Sequence, residues 1–258
     1  MKKNNMTIYS NKKIANSIFE MVLEGEIVYD IERPGQFVHI KTADESPFLL
    51  RRPLSICDAD KKAGRMTVIY RAGGAGTRLF AEKKAGLSLD VLGPLGNGFA
   101  INGTEVGKRA VLVGGGVGVP PLYGLAKALT TKGINVVTVL GFNDADTIFY
   151  EEKFKELGDV YTCTVDGSAG YKGMVTDVMK REHIDCDWLY ACGPKPMLRA
   201  LECQYPEAKG SLSLEERMGC GIGACLACVC HLQEDPSGRE YRKVCSDGPV
   251  FPWREIAL

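Results

Sequence analysis

The segment "RAVLVGGGVGVPPLYGLAKALTTKG", residues 109–133, limits the architecture of this chain more than any other stretch. An apolar run ends in glycines, and a proline-started amphipathic segment closed by Gly133 follows. A strand delivered straight into a helix calls for a second, parallel strand beside the first. That strand is "INVVTVLGF", and "IFYEEKFKELG", "DVYTCTVDG", "MVTDVMKREH", "WLYACGP", "KPMLRALECQ" and "GSLSLEE" continue the alternation. Five strands separated by helix-length segments predict one doubly wound parallel α/β domain.

The flanks read differently. Residues 1–101 hold "GQFVHIK", "PLSIC", "RMTVIYRA" and "LSLDVLGPLG", short runs bounded by turn residues. Many short strands predict a small barrel or sandwich, interrupted by one helical stretch from Gly76 to Gly86. From about Glu215 the alternation stops and loops around cysteines are expected. A chain of 258 residues holds about two compact domains. The expected division is 1–101, 102–214 and a small module over 215–258.

Composition narrows the function classes. The 32 basic and 32 acidic residues balance, so no polyanion such as nucleic acid is indicated as partner. No run approaches the ~18 apolar residues of a membrane span, and "MKKNNMTIYS" lacks the apolar core of a signal peptide. A cytoplasmic protein is expected, in which ten cysteines stay reduced rather than pair as disulfides.

Glycines after a buried strand let backbone amides approach a phosphate, and the helix that follows offers free N–H groups. The turn Gly114, Gly115, Gly116, Gly118 with Pro120 is thus a candidate nucleotide site, although Val119 stands where the usual G-x-G-x-x-G has its third glycine. A ligand-free tight turn is the plain alternative. "YACGPKPM" ends a later strand of the same sheet, which places Cys192 and Gly193 as a wall beside a nicotinamide. Asp144 and Asp146, after the second strand, are candidates for a ribose hydroxyl, with a solvated acidic loop as the equal alternative for either. No Arg or Lys accompanies them, which favours NAD over NADP. In the β-rich part, "RRPLS" supplies a cation and a hydroxyl, although alone it reads as an ordinary strand with a surface arginine, and "YRAGGAGT" supplies a second glycine turn at a helix start. Two phosphate-friendly elements suggest a second nucleotide.

"ERMGCGIGACLACVCH" places Cys220, Cys225, Cys228 and Cys230 close together, and Cys245 follows. The gaps are four residues, two, and then sixteen from Cys228 to Cys245. This is the C-x4-C-x2-C…C spacing of a [2Fe–2S] cluster. Glycines permit the dihedrals that converging thiolates need, and small side chains let amides approach the sulfurs. Zinc is the rival, but an all-cysteine zinc site ordinarily uses two short pairs, and Cys245 has no neighbour. Cys230 is left over as a packing residue.

"RPLS", "GAGT", "GPLGNGF", "GGGVGVPP" and "CGPKPM" occur in the order seen in the ferredoxin–NADP reductase superfamily, which the chain resembles. With the cysteine tail and "VCSDGPVF", essentially the whole chain resembles the electron-transfer subunits of class 1B dihydroorotate dehydrogenases. The resemblance implies a flavin-binding antiparallel β-barrel before the α/β domain, and an oxidoreductase subunit of pyrimidine biosynthesis. It implies FAD contacts at Arg52, Pro53, Leu54, Ser55, Ile69, Tyr70, Arg71, Gly76 and Thr77. NAD contacts are implied at the Gly114–Pro120 turn and the Cys192–Gly193 wall, and cluster ligands at Cys220, Cys225, Cys228 and Cys245. The implied partner is an FMN-containing catalytic subunit in a two-plus-two heterotetramer. A reductase subunit of a hydrogenase or oxygenase system, and a zinc-binding interaction module, are the alternatives.

Overall fold

The computed structural model describes residues 1–42, 49–101, 103–235 and 237–258. The first region is a closed antiparallel barrel. Its strands are β1 (Lys2–Ala15), β2 (Ile18–Glu24), β3 (Phe37–Ile40), β4 (Arg52–Asp60), β5 (Arg65–Arg71) and β6 (Ser88–Leu95), in the order β1-β2-β5-β4-β3-β6. Helix α1 (Ala75–Ala81) lies between β5 and β6; it overlaps the stretch expected to be helical, starting just before Gly76 and ending well short of Gly86. The β1–β2 hairpin was not legible in sequence. Within β1 only Met6 and Ile8 turn into the core, and its outward face is mostly lysine, asparagine and threonine. Strand periodicity there rests on two apolar side chains, too few to show as a pattern.

The second region carries β7 (Arg109–Gly115), β8 (Asn135–Phe142), β9 (Asp159–Thr164), β10 (Tyr171–Lys172), β11 (Trp188–Cys192) and β12 (Gly210–Ser213). Helices α2 (Pro120–Thr131), α3 (Glu151–Lys155), α4 (Val175–Arg181) and α5 (Lys195–Gln204) cover it. Every residue of β7 from Ala110 to Gly115 is buried, as a strand covered on both faces requires. Each buried Val or Leu contributes roughly 1.5–3 kcal/mol. With β15 (Val250–Pro252) from the tail, the sheet order is β10-β9-β8-β7-β11-β12-β15, so the strand order reverses between β7 and β11.

The five expected strands are present as β7, β8, β9, β11 and β12, but two more flank them. Two-residue β10 is too short for any pattern. The other, β15 (Val250–Pro252), comes from the cysteine-rich tail and pairs antiparallel with β12. The tail is therefore not all loop: β13 (Val229–His231) and β14 (Tyr241–Lys243) also form a hairpin. The chain leaves the sheet at Leu214, whose N–H donates to the Pro249 carbonyl at 2.9 Å, and returns there as β15. The division expected after residue 101 abuts residue 102, which lies outside the described residues.

Polar contacts hold the barrel against the sheet. Lys127 on α2 pairs with Asp58 on β4 at 2.6 Å, the Tyr150 hydroxyl donates to Glu20, and Asn16 N–H donates to the Asp146 carbonyl at 2.8 Å. Among the described residues no helix is long and apolar enough to cross a membrane.

Candidate functional site

Two neighbouring sites lie on either side of the segment Glu215–Cys220. The first is a cavity of about 580 Å³ at the carboxyl ends of the parallel strands, where the strand order reverses. Open α/β sheets bind ligands at this location. Its floor is the turn Gly115–Val117, one side is the end of β8, the other is Gly193 with Pro194, and Ile18 and Arg71 reach in from the barrel. Gly118 is needed for close approach: a β-carbon there would lie 2.4 Å from the Cys192 carbonyl oxygen. The glycine turn and the end of β11 are thus brought together, as expected from sequence.

Cys192 differs from the expectation. Its residue is completely buried, burial pushes its thiol well up, and the cavity wall is Gly193 and Pro194. On a strand covered on both faces, a side chain at the last position packs into a helix layer rather than the crevice. Asp144 uses its carboxylate locally, accepting from Thr147 N–H at 3.0 Å.

Glu215 lines the cavity and was missed in sequence. It is exposed to that cavity yet enclosed by protein, and this burial raises its carboxyl to about 7. The available signal was its place one residue beyond Leu214, at the carboxyl end of a parallel strand.

On the barrel, Arg52 and α1 form a cradle. A β-carbon at Gly76 would lie 2.7 Å from Arg52 Nε, so only glycine admits the guanidinium there. The Thr77 hydroxyl bonds the Gly74 main chain in both directions at 3.1 Å. A fixed cation over a helix start suits a pyrophosphate. Pro53 and Ser55 are half-buried beside it on β4, and Leu54 turns inward. Tyr70 also points inward, where its hydroxyl donates to Asn11 Oδ1 at 3.0 Å; Ile69 packs between barrel and sheet. A ligand at position 70 would meet main chain, not the phenol.

The second site is the cysteine loop. Gly221, Gly223 and Leu226 have φ of +74°, +81° and +57°, and this backbone curls amides inward. Ile222, Ala224 and Cys225 N–H donate to Cys220 Sγ at 3.4, 3.2 and 3.4 Å, and Gly223 N–H donates to Cys245 Sγ at 3.1 Å. Against the opposing effect of burial, the amides of Ile222, Cys225 and Ala224 hold the Cys220 thiol down at about 6. Burial and the neighbouring Cys228 push Cys245 up to about 12.

The sulfurs fall into two pairs. Cys220 N–H donates to Cys225 Sγ and Cys245 N–H to Cys228 Sγ, each at 3.4 Å. Among the described residues no three donors gather tightly enough to grip one metal ion. Two pairs of cysteine sulfurs ringed by amides match a binuclear cluster carrying negative charge. Cys230 stands apart on β13, its thiol directed at the Arg242 carbonyl at 3.5 Å. Cys225 is exposed, Cys228 and Cys245 buried, and Ile222 and Leu226 project beside them at 47 % and 48 % exposure. The Lys195–Glu216 ion pair ties the start of this segment to α5, close to the first site.

Beneath the loop lies His39, on β3. Burial first, then the Arg51 cation, lowers its pKa to about 4, so the ring is neutral.

Comparison with known proteins agrees with this geometry. Residues 215–257 match the family described as iron-sulfur cluster binding domain of dihydroorotate dehydrogenase B, and residues 112–202 the oxidoreductase NAD-binding domain. The chain is 58% identical, over 100% of both chains, to proteins of Bacillus cereus (strain G9842) and Bacillus anthracis (strain CDC 684 / NRRL 3495), each named dihydroorotate dehydrogenase B (NAD(+)), electron transfer subunit. Among solved structures it is similar to an NADH-dependent reduced ferredoxin-NADP oxidoreductase, with TM-score 0.85, 33% identity, and coverage of 98% of this chain and 89% of that one. A ferredoxin NADP+ reductase from Neisseria gonorrhoeae with bound FAD and NADP shares the fold, at TM-score 0.68 and 15% identity over 81% of this chain and 93% of its own. The barrel, the switch-point cavity, the paired thiols and these full-length relatives lead to one conclusion: the chain belongs to the family of dihydroorotate dehydrogenase B (NAD(+)) electron-transfer subunits.

Proposed function

We propose that this chain takes electrons from a dihydroorotate-oxidising partner subunit and delivers them to NAD+, through a [2Fe–2S] cluster and FAD. The observation that carries this reading is the paired, amide-ringed thiol site set beside a switch-point cavity. When bound, the cluster carries electrons singly, the nicotinamide takes a hydride, and the flavin exchanges one mode for the other.

The residues divide that work. Cys220, Cys225, Cys228 and Cys245 hold the iron, while the amides of residues 222–225 offset the charge of thiolates and cluster sulfurs. Arg52, Gly76 and Thr77 form the pyrophosphate cradle of FAD, and Pro53–Ser55 with residues 69–71 border the flavin. Gly114–Gly118 and the helix begun by Pro120 hold the dinucleotide phosphates, and Gly193 borders the nicotinamide. Cys192 supports that wall from behind through the close packing of its carbonyl on Gly118.

The partner is an FMN-containing catalytic subunit, in a two-plus-two assembly, docked on the face where Cys225, Ile222 and Leu226 are exposed. Electron transfer needs a short path, and this is where the thiols approach the surface. The ten unpaired cysteines suit a reducing, cytoplasmic setting.

Cys225→Ser, purified anaerobically with the native partner, tests the relay. It is expected to keep FAD and NADH–ferricyanide activity and to lose dihydroorotate-to-NAD+ transfer by at least ~100-fold. Wild-type turnover in that variant overturns the relay.

A further inference from the structure

His39 is a fully enclosed polar side chain that the relay does not use. It stands on β3, whose four residues are all buried, opposite Pro53 of β4 and Leu92 of β6. The residue is 0 % exposed, and among the described residues neither Nδ1 nor Nε2 makes a hydrogen bond of good geometry, although the main chain of Cys220 and of Arg51 lies near enough to the ring to favour its protonated form against burial. Leaving a buried polar group unsatisfied costs about 1–3 kcal/mol, whereas an apolar side chain of similar size would carry no such penalty. An imidazole there needs a reason in what it touches.

What it touches is the cluster loop. A β-carbon on Gly221 would lie 2.6 Å from His39 Nδ1 and 3.2 Å from Cε1. The polar edge of the ring therefore bears on the main chain immediately after Cys220. Residues two apart on a strand share a face, and Phe37 on the same face packs in one cluster with Cys228, Val244 and Cys245. That face of β3 is the floor of the thiol site. The pairing of His39 with Pro53 joins the floor to β4, the strand that carries Arg52 and Ser55.

We propose that His39 is a positioning residue for the iron–sulfur centre: its Nδ1 edge meets the Cys220–Gly221 peptide, seats the loop on the flavin-binding strands and sets the cluster's reduction potential. The inference rests on the reading of the four thiols as cluster ligands. Potentials of such clusters respond to hydrogen bonds and solvent exposure around the sulfurs. A neutral N–H held against the peptide beside the first thiolate draws electron density away from the centre and favours its reduced form. No water is needed to do so.

The test is an EPR-monitored redox titration of the full chain, purified anaerobically with its partner, as wild type, His39→Phe and His39→Gln. Iron, sulfide and flavin analysis of the wild type comes first. Absence of iron and sulfide there overturns the cluster reading itself, and this proposal with it. With the cluster present, H39F is expected to keep iron and FAD but to show a ~10-fold lower ratio of reduced to oxidised cluster at the wild-type midpoint, a shift of ~59 mV to lower potential. H39Q, which retains an N–H donor, is expected to shift in the same direction by ~3-fold. A purely structural role would lower iron content or thermal stability and leave the midpoint of the loaded protein unchanged. A wild-type midpoint in loaded H39F overturns the proposal. If H39F does not load iron, H39Q decides alone, and a wild-type midpoint in it is equally fatal.

Discussion

The switch-point cavity and the cysteine loop lie a few residues apart, yet they are built in opposite ways. The cavity is assembled from the ends of regular strands and helix starts, and its shape depends on main chain meeting main chain, as where Gly118 abuts the Cys192 carbonyl. The loop has almost no regular structure, and left-handed residues aim its amides inward. One site is fixed by packing from outside, the other by its own turns. Damage should therefore spread in the first and stay local in the second.

That contrast can be broken most directly at Gly118. Gly118→Ala pushes a methyl group into backbone that cannot yield cheaply. It should destabilise the chain by about 1–3 kcal/mol and reduce NADH–ferricyanide turnover by about 100-fold through misplacement of the nicotinamide. Thermal unfolding and steady-state rates measure both. Gly221→Ala is the counterpart in the loop, with φ of +74° and His39 Nδ1 2.6 Å from the new carbon. The left-handed conformation alone costs roughly 1–2 kcal/mol. Iron and sulfide content should fall while NADH–ferricyanide turnover stays near wild type. Equal loss of both in G221A would erase the distinction between the two regions.

A smaller effect is expected at Glu215. With its carboxyl raised to about 7, the side chain is neutral at pH 6 and charged at pH 8. A carboxylate in the cavity favours the cationic ring of NAD+ over neutral NADH. The preference for NAD+ should therefore grow between pH 6 and 8 by on the order of 5-fold at most, the effect of about 1 kcal/mol between charges in water. Glu215→Gln should flatten that dependence in equilibrium titrations. The smallest effect is at the half-exposed Lys195–Glu216 pair, where Lys195→Ala should change unfolding stability by less than about 1 kcal/mol.

Sequence and structure divide along the same line. The parallel sheet was legible because β7, β8 and β11 are apolar along most of their length, and β7 and β11 run into glycine and proline turns. The thiol site was legible because spacing alone carries it. Other features escaped for physical reasons: the lysine- and asparagine-rich face of β1 hides its two inward side chains, and β15 pairs with β12 only through the return of a distant tail. Glu215 has no motif, and only the folded sheet shows that it stands at the cavity. His39 sits in "GQFVHIK", where nothing local shows that Gly221 closes over it. At Cys192 a strand end alone predicts a side chain facing the crevice, whereas the folded residue is wholly buried among apolar side chains of α2.

The bond from Leu214 N–H to the Pro249 carbonyl means that the whole thiol-bearing excursion begins and ends at one point on a sheet edge. A segment closed in this way behaves as a cassette. Loop closure costs grow only slowly with length, so such an excursion can be lengthened, shortened or carried to another reductase with little disturbance to the sheet that bears it. A new one-electron partner would then call for a new cassette, provided that it still fits the Phe37 and His39 face of β3 on which the present one rests.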